Sequence, residues 1–221
     1  MNEIIVNDYP KSLIAESIKT VKTNLRFSSV NKKIKTILIT SSMSGEGKSF
    51  VSANLAASYA NYGDKVLIID CDLRKGRQYN IFEPKYKAGL SNLLIDEDWN
   101  KNLDKYLQAT EIENLDILTT GELPPDPTVL LESTKIEQVL EELKLKYDVI
   151  ILDTPPVIGI TDTLIISKLA DVVLIVARAR KTTLEILENT KKSLEKVQAN
   201  IVGVILNRVE LKNIKYYNGY Y

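Results

Sequence analysis

The chain has no histidine and a single cysteine, Cys71. Without imidazole there is no Ser-His-Asp triad, no Cys-His dyad and no histidine-ligated metal. A lone thiol closes no intramolecular disulfide and builds no Cys-rich zinc site, which fits a reducing compartment. An excess of one charge is missing too: 29 Lys and Arg stand against 29 Asp and Glu. The electrostatic footprint of a nucleic-acid binder is therefore absent, and no nucleic-acid partner is expected. No apolar run nears the ~18–20 residues of a membrane span; Val172–Ala177, with six, is among the longest. The opening Met-Asn-Glu-Ile lacks the charged and apolar regions of a secretory leader. These absences lead to the expectation of a cytoplasmic protein that does not span a membrane.

What is present is an alternation. Thr36–Thr40, Val66–Asp70, Leu115–Thr119, Asp148–Asp153, Val172–Ala177 and Ile201–Leu206 read as strands, most of them apolar throughout. Unbroken apolar runs mark strands buried on both faces of a parallel sheet. Helix-periodic segments lie between them: Ile136, Val139, Leu140 and Leu143 share a face, with a capping box expected at Thr134 and Glu137. A second box is expected at Thr182 and Glu185, opening a helix that runs to about Val197. The expected fold class is α/β, three-layered, around a mostly parallel central sheet. Residues 11–27 read as a further helix, with Ile14, Ile18, Val21 and Leu25 on one face and Glu16, Lys19, Lys22 and Arg26 along an adjacent stripe. Residues 1–211 are expected to form one domain. Residues 212–221 read as a flexible tail, and four of the eleven tyrosines, Tyr216, Tyr217, Tyr220 and Tyr221, fall in the last six positions.

After the first strand comes Ser42-Met43-Ser44-Gly45-Glu46-Gly47-Lys48-Ser49, which meets the phosphate-loop pattern GxxxxGK[ST] except that Ser42 replaces the first glycine. Gly45 and Gly47 let successive N–H groups curl toward phosphate oxygens, where the helix N-terminus adds positive potential. Lys48 is expected to reach the β- and γ-phosphates and Ser49 to ligate Mg²⁺. Asp153 ends one apolar strand, the setting of the acid that holds Mg²⁺ through water. Asp70 and Asp72 end another; at i and i+2 of an extended chain they share a face. Strand ends in a parallel sheet form the ligand crevice, so ATP and Mg²⁺ are the expected cofactors.

The combination of this loop with Val66-Leu67-Ile68-Ile69-Asp70-Cys71-Asp72-Leu73-Arg74, Val149-Ile150-Ile151-Leu152-Asp153-Thr154-Pro155-Pro156 and a Tyr-rich terminus resembles the bacterial tyrosine kinases of capsule and exopolysaccharide synthesis. The resemblance extends through Gly89–Leu93 and Gly121–Pro127 and covers essentially the whole chain. It implies a P-loop NTPase fold and ATP-dependent phosphorylation of tyrosines, chiefly those in a neighbour's tail within a ring oligomer. It also implies the split form, in which a separate membrane adaptor activates the kinase and recruits it to the inner face of the cell membrane.

By position, Asp70 resembles the family's catalytic aspartate, and Asp72 and Asp153 the acids that organise Mg²⁺. The nucleotide is implied to meet the backbone of Ser44, Gly45, Glu46, Gly47, Lys48, Ser49 and Phe50, with Asn207 at the adenine. Arg74 matches a basic residue that meets phosphate or a partner. The oligomerisation motif ExxRxxR corresponds to Glu16, Lys19 and Lys22, where Lys keeps the charge without the bidentate fork. The family's proline after the acidic pair is Gly76, expected to loosen that loop. Phe50 stands where a hydroxyl is common. A helix N-cap accounts for Asp162 as well as the family match does. Cys71 is expected to point away from its flanking acids into an apolar space. Arg178 and Arg180 read equally as phosphate ligands or surface charge. The competing readings are a partition or division-site ATPase, against which Met43 stands in place of a characteristic lysine, and a nucleotide-gated scaffold.

Overall fold

The computed structural model describes residues 3–28 and 34–210; the four tail tyrosines lie outside them. Seven strands, β1 (Thr36–Ser41), β2 (Val66–Asp70), β3 (Gln108–Ala109), β4 (Leu115–Leu118), β5 (Val149–Asp153), β6 (Val172–Arg178) and β7 (Ile201–Asn207), form one sheet in the order β3-β4-β2-β5-β1-β6-β7. All pairs are parallel except β3 with β4. Two-sided burial explains the unbroken apolar runs. In β1, Ile37 and Ile39 enter one core layer while Leu38 enters the other; in β2, Val66 and Ile68 part in the same way from Leu67 and Ile69. The three-layer α/β expectation is met.

One layer is covered by α1 (Ile5–Asp8), α2 (Leu13–Ser28) and α3 (Lys48–Ala60). The helices following β2 are α4 (Gln78–Phe82), α5 (Leu90–Ile95), α6 (Trp99–Tyr106), α7 (Pro127–Leu131), α8 (Thr134–Lys146), α9 (Asp162–Ser167) and α10 (Leu184–Lys196). Of these, α5, α6, α7, α8, α9 and α10 supply buried apolar side chains to the other layer. Almost every residue of α3 is buried, and its Ala53, Ala56, Ala57 and Ala60 let it lie close between the sheet and α2.

Several local expectations are corrected. The helix expected over 11–27 is α2, but its buried residues are Ala15, Ile18, Lys22 and Leu25, while Ile14 remains 48% exposed. The helix is turned so that Ala15 takes the inward position, and Lys22 leaves the surface stripe. No capping box forms at Thr134 and Glu137: Thr134 is already the first residue of α8, and Ser133 occupies the N-cap without a side-chain cap bond. The box at Thr182 and Glu185 is off by one. Thr183 caps α10, accepting from Ile186 N–H at 3.3 Å, because the Thr182 hydroxyl is drawn to Glu46 of the phosphate loop.

Candidate active site

The strand order puts the carboxyl ends of β2, β5 and β1 side by side. Asp70 and Asp153 are register partners across β2 and β5, and Asp153 stands opposite Ile39 of β1. The phosphate loop leaves β1 at that edge, so the residues expected to work together share one crevice. Gly45 and Gly47 adopt positive φ of 80° and 97°, which lets the loop curl and enter α3. Gly47 is required for a second reason: a Cβ there would run into Asn207 Nδ2.

Lys48 extends from the start of α3 to Asp72, Nζ to Oδ2 3.1 Å, with Ser49 Oγ at 3.4 Å. Burial alone would lower its pKa. The carboxylates of Asp153, Asp72 and Asp70 outweigh that, so the ammonium is held above its ordinary value. Asp70 is fully buried. Burial first, then the Asp153 charge, raises its pKa against the opposing effect of N–H groups from Gln78 at 2.9 Å and Asp72 at 3.2 Å and of the Lys48 charge. Ser52 Oγ donates to Asp153 Oδ1 at 3.1 Å, and Gln78 Nε2 donates to Asp153 Oδ2 at 2.8 Å.

The loop is braced from the far side of the sheet. The buried Glu46 carboxylate accepts from Met43 N–H at 2.8 Å and from the Thr182 hydroxyl, while its backbone carbonyl accepts from Asn207 Nδ2 at 2.9 Å. Asn207 is thereby placed beside the loop at the end of β7, and its Oδ1 accepts from Arg208 N–H at 2.8 Å. Ser42, in the position of the missing glycine, is fixed by Thr190 Oγ1 at 2.8 Å. Ser44 and Gly45 are exposed at the loop crest, and Phe50 packs partly buried against the α3 side of the core.

Other expectations resolve differently. Gly76 does not loosen its loop: a Cβ there would stand 2.6 Å from Asp70 Oδ2 and 2.7 Å from Thr120 Oγ1. The glycine lets the chain close over the Asp70 carboxylate, where an added Cβ would force Asp70 or Thr120 to shift. Asp162 is not an N-cap; it is the first residue of α9, buried, and accepts from Arg74 Nε at 2.8 Å and Nη2 at 3.1 Å. Thr128 Oγ1 joins this cluster, donating to Asp162 at 2.9 Å. Arg74 thus ties the segment after β2 to α7 and α9. Arg180 pairs with Glu210 at 2.5 Å on the surface. Cys71 lines a small apolar cavity with Ile69, Leu90, Leu140 and Ile166. Burial, then the Asp70, Asp153 and Asp72 charges, push its thiol well up, which disfavours the reactive thiolate.

On α2, Glu16 and Lys19 form an ion pair at 2.8 Å near the surface. Lys22 is inside instead, with Nζ 3.5 Å from Ser58 O and 2.8 Å from the centroid of the Tyr62 ring.

Sequence reasoning missed Gln78 and Ser52, and read Thr182 as a helix cap rather than as a partner of Glu46. Ser52 was within reach of it, since it lies four residues after Lys48 on the same helical face. Gln78 and Thr182 carry no spacing that announces them. The donor set around the loop, a serine hydroxyl and carboxylates, is all oxygen and suits a hard cation. Among the described residues no three His, Cys, Asp or Glu side chains form a ready metal cage. Mg²⁺ needs none, because it is held by one or two protein groups, phosphate oxygens and its own waters.

Comparison with known proteins agrees with this geometry. The AAA domain family matches residues 34–207. The Staphylococcus aureus protein CapB is 37% identical over 221 residues, covering 100% of this chain and 96% of its own. The tyrosine-protein kinase YwqD of Bacillus subtilis is 36% identical over 218 residues, 99% of this chain and 90% of its own. Among solved structures, the chimerical protein CapA2B2 superposes with a TM-score of 0.88 at 37% identity, covering 95% of this chain and 91% of that one. The septum site-determining protein MinD of Pyrococcus horikoshii, complexed with Mg-ADP, reaches 0.66 at 26% identity over 80% of this chain and 72% of its own. With a P-loop crevice lined by strand-end acids and near-complete overlap with YwqD, the chain belongs to the bacterial tyrosine-protein kinases built on a P-loop AAA domain.

Proposed function

We propose that the protein is an ATP- and Mg²⁺-dependent tyrosine kinase that phosphorylates Tyr216, Tyr217, Tyr220 and Tyr221 of its own tail, chiefly between subunits of a ring. The observation that carries the reading is the convergence of Lys48, Asp70, Asp72 and Asp153 on the phosphate loop at one sheet edge. The N–H groups of Ser44 to Phe50 cradle the phosphates, and Asn207 lies at the base; its second Nδ2 hydrogen has no partner among the described residues and suits a purine acceptor. Ser49, Asp72 and Asp153 are the residues that would hold the metal. Mg²⁺, when bound, supplies charge neutralisation across the phosphoryl oxygens. Lys48 adds a fixed positive charge at the same place. A tyrosine hydroxyl, with pKa near ~10, keeps its proton at neutral pH, and Asp70 accepts or orients that proton as the oxygen attacks.

Reach permits delivery between subunits. β7 ends on the crevice edge, and the nine residues from Asn207 to Tyr216, extended at ~3.3 Å each, span about 30 Å. Glu16 and Lys19 on α2 are the groups offered to a ring neighbour, with Lys22 behind them. A membrane adaptor of the polysaccharide machinery activates the kinase and holds it at the inner face of the membrane, where it regulates capsule or exopolysaccharide synthesis. No described helix is long and apolar enough to cross a membrane, consistent with recruitment by such a partner.

Incubation with ATP and Mg²⁺, with and without an activating adaptor fragment, followed by intact-mass and tail-peptide analysis, tests the proposal. Phosphotyrosine on the tail is the expected result. Phosphate release alone would favour an ATPase switch of the MinD kind, and neither product would favour a scaffold.

A further inference from the structure

Gln78, the first residue of α4, is fully buried against Asp70, Asp153 and the start of α3. Its backbone N–H donates to Asp70 Oδ2 at 2.9 Å; its Nε2 donates to Asp153 Oδ2 at 2.8 Å and to the Ser49 carbonyl at 3.1 Å. One residue thus joins the ends of β2 and β5 to the phosphate loop. The amide cannot be turned over, because both partners of Nε2 are pure acceptors and require its two hydrogens. Gln78 Oε1 is therefore fixed on the other side, buried and without a hydrogen-bond partner among the described residues. A buried carbonyl oxygen without a donor is costly, and such an orphan calls for a missing donor.

Phosphate oxygens are acceptors, and both Asp70 oxygens are already occupied by N–H groups of Gln78 and Asp72, so neither fills that place. Lys48 Nζ is engaged with Asp72 and Ser49 Oγ. A Mg²⁺ ion, by contrast, keeps several waters, and each is a strong donor. We propose that Gln78 is a positioning residue of the metal–nucleotide site: its amide nitrogen locks Asp153 to the phosphate loop, and its Oε1 accepts a hydrogen bond from a water of the Mg²⁺ shell. This rests on the nucleotide–Mg²⁺ reading above and adds a specific outer-shell ligand to it.

The test is ADP binding by calorimetry, in Mg²⁺ and in EDTA, for the wild-type chain and for Gln78→Met, which keeps the length and apolar volume but neither polar end. The gain in affinity on adding Mg²⁺ is expected to shrink about tenfold in the variant, on the scale of outer-shell losses. Binding in EDTA is expected to weaken less than binding in Mg²⁺, because the loop N–H groups that carry it are kept while only the Gln78 brace on the Ser49 carbonyl is lost. An unchanged Mg²⁺ gain, or equal losses with and without the metal, overturns the proposal. Wild-type protein supplies a second measurement: the Gln78 carboxamide NMR resonances are expected to shift when Mg²⁺ is added to the ADP complex, and fixed resonances overturn the assignment. Failure of the wild-type chain to bind ADP at all would overturn the nucleotide reading itself, and this inference with it.

Discussion

Gly76 and Lys48 show how narrowly single residues set this site. The absent side chain at Gly76 is the space in which Asp70 Oδ2 and Thr120 lie, at 2.6–2.8 Å from where a Cβ would be. Gly76→Ala must therefore displace a buried carboxylate or its own backbone, an overpacking cost of about 1–3 kcal/mol. Thermal unfolding is expected to shift down accordingly, and phosphotransfer to fall while ADP still binds; full activity in Gly76→Ala would contradict the close packing. Lys48 is different in kind. It is the cation among three buried acids, and the ground state already draws it to Asp72. Lys48→Ala removes that charge where the transferred phosphoryl develops its own. The rate of tail phosphorylation is expected to drop by about 10²–10³-fold, as for other fixed transition-state donors, and phosphate incorporation followed over time would measure it.

Between elements, the α2–α3 seam carries the least expected arrangement. Lys22 is buried against Ser58 and Tyr62. Burial, with Arg26 next, lowers its pKa from 10.5 to about 8, Asp64 opposing and Lys19 adding to the shift. The sign follows from where each state holds its proton. Below about pH 8 both native and unfolded chains carry the charge, and the native state bears the whole burial penalty. Between about 8 and 10.5 only the unfolded chain keeps the proton, so stability rises with pH through that window. Lys22→Met is therefore expected to stabilise the fold more at pH 7 than at pH 10, read as the difference in denaturation midpoints; an equal gain at both would refute it. The six long strands were legible because a doubly covered parallel sheet demands apolar runs, and the phosphate loop because its chemistry demands glycines and lysine at fixed spacing. β3 was not, since two residues, Gln108 and Ala109, carry no periodicity. Nor was the rotation of α2, because Ile14 and Ala15 are both apolar and only packing against α3 decides between them. Gln78 and Thr182 escaped for a further reason: their partners, Asp153 and Glu46, are 75 and 136 residues away in the chain. Such contacts are created by strand order, which local pattern does not reveal.

At the scale of the whole molecule, the sheet order links the tail to the catalytic edge. β7 lies beside β6 at the margin of the sheet, and its last residue, Asn207, holds the Glu46 carbonyl of the phosphate loop. The segment bearing the tyrosines therefore starts on the side where Asp70, Asp72 and Asp153 are gathered, and a neighbour's tail entering that crevice meets a strongly acidic floor. An unmodified tyrosine is neutral and enters without electrostatic cost. Each phosphorylation adds about −1.5 to −2 charges, so four add roughly −6 to −8, facing carboxylates that Lys48 offsets in part. On the proposed function, phosphorylated tails are repelled from the crevice, and in the proposed ring the contacts they support are weakened together. The fully phosphorylated protein is expected to show a smaller solution mass than the dephosphorylated one, and the difference to narrow as salt screens the repulsion. Replacing Tyr216, Tyr217, Tyr220 and Tyr221 with Phe should leave ADP binding intact, remove tail phosphotyrosine and fix the assembly in its larger form even after incubation with ATP. Equal masses for the phosphorylated and dephosphorylated proteins, or loss of phosphate-dependent dissociation in no variant, would separate tail charge from assembly.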